Sequence, residues 1–184
     1  ALQYALDENN HLIGLNLAGC ELQSLELGSE YQHLQVLNVG RTALRSLQIP
    51  AEMKALRELR AYECKALEKV ELPDTLSQLH YLDQSECALS QFQLPRGLLA
   101  LTKLYLQKNQ LEELIWSEAC PALIFAELSE NQLNDLALPT GLEHLRFLYL
   151  GKNKLNSLHC QGNLPQLEVL DLRNNAFKNI RESF

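Results

Sequence analysis

Residues 101–116 read LTKLYLQKNQLEELIW, and residues 123–138, LIFAELSENQLNDLAL, restate the same pattern 22 positions later. Residues 145–160 (LRFLYLGKNKLNSLHC) and 167–180 (LEVLDLRNNAFKNI) continue it. Traced towards the N-terminus, equivalent starts fall at Leu79, Leu56, Leu34 and Leu12. Eight units therefore begin at residues 12, 34, 56, 79, 101, 123, 145 and 167. Every step is 22 residues except one of 23, whose extra residue lies in Cys64-Lys65-Ala66-Leu67. Self-similarity at a fixed period of this size indicates stacked supersecondary units.

Within the units the fourth and sixth positions, apolar in all but one, alternate with residues of the opposite face. That period of two predicts a short strand with one buried face. The ninth position is Asn109, Asn131, Asn153 or Asn175 in the later units. A primary amide carries two donors and an acceptor, so it can bond backbone left unpaired where the chain turns. Two further apolar positions, such as Leu111 and Leu114, fasten the outer side. One unit cannot bury its own face, so the units must stack into one continuous core.

The pattern L-x-x-L-x-L-x-x-N-x-L-x-x-L resembles the leucine-rich repeat, over residues 12 to 180. The resemblance implies an α/β-type repeat solenoid, a right-handed leucine-rich-repeat horseshoe with a parallel β-sheet on its concave side. Ile49-Pro50, Leu72-Pro73, Leu94-Pro95 and Leu138-Pro139 recur on the outer arc. Proline fixes φ and removes a donor, so the convex side should be mostly extended or 3₁₀, with little α-helix. Residues 1–11 lack the repeat. Leu2, Tyr4 and Leu6 alternate before the turn-like Asp7-Glu8-Asn9-Asn10, which predicts an N-terminal capping strand and turn. Residues 12–184 then form the eight repeats. The last stops at Phe184 before its outer arc is complete, which reads as a fragment of a longer protein.

Composition narrows the function. The 184 residues carry 16 Lys and Arg against 23 Asp and Glu, a net charge of -7. Nucleic acid and anionic membranes both require clustered basic residues, so neither is an expected partner. No apolar run approaches the ~18 residues of a spanning helix, and the first dozen residues have no basic segment of a signal peptide. Leucine occurs 43 times against 5 Ile and 4 Val. That imbalance argues against an ordinary sandwich or parallel sheet, where β-branched residues dominate.

The sequence carries no catalytic, cofactor or metal motif: no phosphate loop, nucleophile elbow, zinc or calcium signature. Gly151-Lys152-Asn153 is a repeat turn, and Cys160 beside His159 occupies the outer-arc core position of Leu27, Leu72 and Leu138. Cys20, Cys64 and Cys87 take the ninth position, with Thr42 completing the column. A small polar group substituting for Asn explains them. A Cys64–Cys87 metal or redox pair is the alternative, and a metal would need two further ligands. Reduced thiols fit a cytoplasmic protein, a secreted bacterial effector being the other option. Gln84 takes the inward sixth position, so its amide should have a partner or a water. Together with the small Ala61 and the 23-residue step, it suggests an irregular joint over residues 56–90.

Positions three, five, seven and eight should face out from the concave ribbon. Position three runs Gly14, Val36, Glu58, Tyr81, Lys103, Phe125, Phe147, Val169. Position five runs Asn16, Asn38, Arg60, Asp83, Tyr105, Glu127, Tyr149, Asp171. Six of the eleven Tyr and Phe residues (Tyr62, Tyr81, Tyr105, Phe125, Phe147, Tyr149) fall in these columns, from the third repeat to the seventh. Exposed aromatics rimmed by charge mark a binding surface. The candidate site is therefore Arg60, Tyr62, Tyr81, Asp83, Lys103, Tyr105, Phe125, Glu127, Phe147, Tyr149, Asp171 and Arg173. Acids lead in the middle repeats, a preference for a partner with some basic character.

The resemblance implies a protein-interaction module, not an enzyme, with a protein or peptide partner and no cofactor. The Leu-Pro step and the Cys/Asn column look like bacterial or other intracellular repeats. Tyr4-Ala5-Leu6-Asp7 followed by Leu12-Ile13-Gly14-Leu15-Asn16-Leu17 is similar to the opening of the repeats in bacterial Roco proteins, where the solenoid precedes a GTPase domain. The alternative function is thus a regulatory domain of a larger enzyme, Roco GTPase-like or a bacterial effector ligase, that docks another domain of its own chain.

Overall fold

The computed structural model describes residues 3–178. Leu2 and the segment from Asn179 to Phe184 lie outside the described residues. Fifteen short strands follow one another: β1 (Gln3–Leu6), β2 (Leu12–Asn16), β3 (Val36–Asn38), β4 (Ser46–Gln48), β5 (Glu58–Arg60), β6 (Lys69–Glu71), β7 (Tyr81–Asp83), β8 (Gln91–Leu94), β9 (Lys103–Tyr105), β10 (Glu113–Trp116), β11 (Phe125–Glu127), β12 (Asp135–Leu138), β13 (Phe147–Tyr149), β14 (Ser157–Cys160) and β15 (Val169–Asp171). One 3₁₀ turn, Ser29–Tyr31, is the only helical element among the described residues.

The concave sheet has nine strands in the order β1-β2-β3-β5-β7-β9-β11-β13-β15. All its pairings are parallel except β1 with β2, which is antiparallel. Equivalent positions sit side by side, as in Leu82↔Leu104 and Ala126↔Leu148. This register follows from packing. Shifting a strand by one residue would turn its buried leucine to solvent. Leu37, Leu59, Leu82 and Leu104 at position four, and Leu106, Leu128 and Leu150 at position six, are essentially inaccessible. The 23-residue step leaves this register intact, since Leu59 faces Leu82. The extra residue is absorbed in a turn at Lys65–Ala66, closed by Leu67 N–H donating to Cys64 O at 2.9 Å. The extra residue of the expected joint therefore lies in this turn and not in the concave sheet.

The convex side is extended, as the prolines imply, and part of it pairs. β4 with β6, β8 with β10, and β12 with β14 form three separate parallel ribbons. Pro95 and Pro139 follow directly on β8 and β12, where the missing donor ends the pairing.

At the N-terminus β1 covers the hydrogen-bonding edge of β2, yet Tyr4 and Leu6 are 65% and 46% exposed. The strand thereby caps the sheet edge rather than the apolar end of the first repeat, where Leu12, Leu15 and Leu17 stay half-buried.

The ninth-position ladder runs from Thr42 to Asn175, while Cys20 makes no side-chain hydrogen bond among the described residues. Asn131 donates from Nδ2 to Leu106 O at 2.9 Å and Leu128 O at 3.0 Å, while its Oδ1 accepts from Leu111 N–H at 3.0 Å. Asn109, Asn153 and Asn175 repeat this geometry. Cys64 and Cys87 supply only a donor, to Val39 O at 3.2 Å and Ala61 O at 3.0 Å. Thr42 does the same to Val39 O at 2.8 Å. The adjacent Cys64 thiol and burial together push the Cys87 thiol up, which suits a structural sulfur. Cys160 is half-buried on β14, and burial raises its thiol too. No group of three or more metal-binding side chains occurs among the described residues.

One regularity was not legible beforehand. Position eight adopts a left-handed conformation in every repeat: Gly19 at φ 74°, then Arg41, Glu63, Glu86, Lys108, Glu130, Lys152 and Asn174 between 54° and 58°. An L-residue there costs ~1–2 kcal/mol, so the ladder and core must impose the turn. Nothing lies within 4 Å of a Cβ added at Gly19. Gly19→Ala should therefore lose about 1 kcal/mol through the backbone alone, seen as a lower melting temperature. Lys108→Ala carries no such backbone penalty.

Candidate functional site

The concave face is built from alternate residues of β5 to β15, whose other face holds the core leucines. Tyr81 on β7 and Tyr105 on β9 have ring centroids 5.4 Å apart. Tyr105 lies 5.0 Å from Phe125 on β11, which in turn lies 6.3 Å from Phe147 and 5.6 Å from Tyr149 on β13. The interplanar angles of 37° to 46° are those of tilted aromatic pairs. Five rings thus make one continuous half-buried band across four strands. Parallel in-register pairing sets Phe125 directly beside Phe147, and the other contacts are diagonals between positions three and five of adjacent strands.

Tyr62 stands apart from this band. Its ring lies over Gly40, where an added Cβ would be 2.6 Å from Cε1, and the Arg41 guanidinium carbon is 5.6 Å from the ring centroid. Arg60 closes the other end of the band, 4.8 Å above the Tyr81 ring and 2.8 Å from Glu58. Arg146, which the column reading did not include, stacks 5.4 Å from Phe147 while it pairs with Glu168 at 2.6 Å. Arg146 stands at position two, a column that the period-two pattern does not assign to the concave face.

Position five has a local role. Asn16, Asn38, Asp83, Glu127 and Asp171 each accept the backbone N–H of position seven at 3.0–3.1 Å. The remaining repeats have Arg60, Tyr105 and Tyr149 in that column. Carboxylate and ring therefore alternate along the face: Asp83, Tyr105, Glu127, Tyr149, Asp171.

The charges are mostly self-paired. Along position eight, Arg41 meets Glu63 at 3.0 Å, Lys108 meets Glu86 at 3.0 Å, and Lys152 meets Glu130 at 3.2 Å. Asp171 is held by Arg173 at 2.7 Å. The hydrogen bond from Arg173 keeps the Asp171 carboxyl below its ordinary range. Asp83 and Glu127 have no cation within 4 Å among the described residues, and the exposed Lys103 has no carboxylate within that distance. Burial, reinforced by Asp83, pushes the Tyr81 phenol up to about 12. Burial, Asp83 and Glu127 raise Tyr105 likewise. A cleft of about 390 Å³ opens where Gly151 lacks a side chain, lined by Gln107, Glu127, Tyr149 and Asp171 among others.

A family model for the BspA type leucine rich repeat region matches residues 15–112 and 61–182, with six copies. The chain belongs to the BspA-type leucine-rich repeat family. Among solved structures, a leucine-rich repeat protein of Leptospira interrogans is 27% identical, with a TM-score of 0.64 over 93% of this chain and 45% of its own. The functional domain of InlJ from Listeria monocytogenes, which includes a cysteine ladder, is 18% identical, with a TM-score of 0.59 over 94% of this chain and 47% of its own. The chain thus spans less than half the length of either. No curated protein sequence matches significantly. Leucine-rich repeat proteins commonly mediate protein–protein interaction and are generally non-enzymatic. No helix among the described residues is long and apolar enough to cross a membrane.

Proposed function

We propose that this leucine-rich repeat chain binds a protein or peptide partner on the concave aromatic face, with Tyr105 and Tyr149 as its anchors. The observation that carries the reading is the continuous ring band from Tyr81 to Tyr149. The core does not need it, since the opposite faces of the same strands already bury the leucines. Clustered tyrosines beside arginine are the residues on which interface energy concentrates. Burying their remaining exposed area requires an occupant. A second reading draws on length: both similar structures are more than twice as long, and its occupant is another domain of a longer parent chain. Five thiols, none in a disulfide, are compatible with a reducing compartment.

The test is paired capture from lysate of the source organism, using the unaltered chain and a Tyr105→Ala/Tyr149→Ala variant of matched melting temperature. Two interface tyrosines of this kind should be worth a loss of about thirtyfold or more. A partner held equally by both baits would move the site elsewhere. Capture by neither bait would favour docking within the parent chain.

A further inference from the structure

Resting on the concave-face reading, we propose that the strip from Asp83 to Asp171 takes a basic, extended peptide segment. The stems of its Lys or Arg side chains lie on Tyr105 and Tyr149, and a charged head meets Glu127. Three independent features of the face agree on this chemistry.

The first is the alternation along position five. Strands lie ~4.8 Å apart, so a carboxylate recurs about every 9.6 Å, with a tyrosine between each pair. Long basic side chains have this double character, an apolar stem and a cationic head. An aromatic face attracts the cation as well.

The second is the state of the charges. Acids on the position-eight edge already hold a partner in Arg41–Glu63, Lys108–Glu86 and Lys152–Glu130. Glu127 holds none among the described residues. Its Oε1 accepts the Ser129 N–H at 3.0 Å, and no hydrogen bond engages Oε2. Asp83 is bonded only by Ser85 and, at 3.4 Å, by the Tyr81 hydroxyl. Lys103, the cation at positions three and five of this stretch, contacts neither acid among the described residues.

The third is the shape and chemistry of the cleft at Gly151. Its wall carries the Glu127 carboxylate, the Tyr149 ring and Gln107. Gln107 Oε1 is buried with no hydrogen-bond partner. The local cations, Lys152 and Arg173, are already committed to Glu130 and Asp171. The wall also holds the Ser129 hydroxyl and the Asn174 amide, yet its uncommitted charge is the Glu127 carboxylate, which an ammonium or guanidinium complements and a carboxylate or phosphate does not.

The test is a random-peptide display selection on the full chain. The best peptide is then titrated against the unaltered protein, Glu127→Gln, and Tyr105→Ala/Tyr149→Ala. Gln retains an acceptor for the Ser129 N–H, so the turn survives the first substitution. Selected peptides should be rich in Lys or Arg. Glu127→Gln should weaken binding about tenfold or more, and affinity should fall between about 50 and about 300 mM NaCl. Neutral or acidic binders lost only in the tyrosine variant would overturn the basic-segment inference and leave the concave reading standing. Binders indifferent to all three substitutions would overturn both. A selection that yields no peptide would overturn the inference of a linear cationic ligand.

Discussion

Replacing Asn131 with Ala should lower the unfolding free energy by about 3 kcal/mol. The side chain is 7% exposed and makes three bonds to backbone that water cannot reach. The losses are not equal. Leu106 O and Leu128 O each keep a second amide donor, from Asn109 and Asn153. Leu111 N–H has no other acceptor and would be orphaned. A buried unpaired donor costs ~1–3 kcal/mol, and each lost carbonyl bond adds ~0.5–1.5 kcal/mol. Cys87→Ala is the internal comparison. Its thiol donates to Ala61 O and, at 3.5 Å, to Ser85 O, and accepts nothing from the backbone, so about 1 kcal/mol should be lost. Urea unfolding of both variants checks the contrast. Equal losses would show that the amide acceptor is not what secures the turn.

Replacing Gln84 with Leu should raise stability by about 2 kcal/mol. Gln84 is fully buried, and neither its Oε1 nor its Nε2 has a hydrogen-bond partner in the protein. The sixth-position column around it is apolar, with Ala61 before and Leu106 after. Leucine fills that slot in most other repeats and matches glutamine in bulk, so the exchange removes a desolvation penalty without opening a cavity. Denaturant midpoints measure the gain. A loss of stability instead would mean that the amide is held by a partner such as a buried water, and that the slot is built around it.

The parts of this molecule fixed by periodicity were the easiest to read. Position-four and position-six leucines had to share one face, because neither strand nor turn could bury them alone. The ladder was legible through residue chemistry, as Asn, Cys and Thr share one capacity, a donor for a buried carbonyl. Position eight was not legible. Left-handed backbone normally announces itself as Gly or Asn, whereas Arg41, Glu63, Glu86, Lys108, Glu130 and Lys152 hold it here. Those same residues had been grouped with the concave face, and their pairing along the edge follows from side-chain direction, which a column of letters does not carry. The turn-closing role of Asp83 and Glu127 was hidden for a related reason. An acidic residue on an open face reads as solvated charge until its neighbour two positions on is seen to need an acceptor. Tyr62 counted with the other aromatics until Gly40, one repeat earlier, proved to offer it a flat seat.

The concave ring band is the surface proposed to meet the partner. A photo-reactive phenylalanine at position 105, compared with the same group at the exposed convex Ile115, tests this most directly. The protein would be irradiated in lysate of the source organism, and adducts identified by mass spectrometry. A discrete protein adduct from position 105, with none from position 115, is the expected result. An adduct formed at position 115 and absent at position 105 would contradict it.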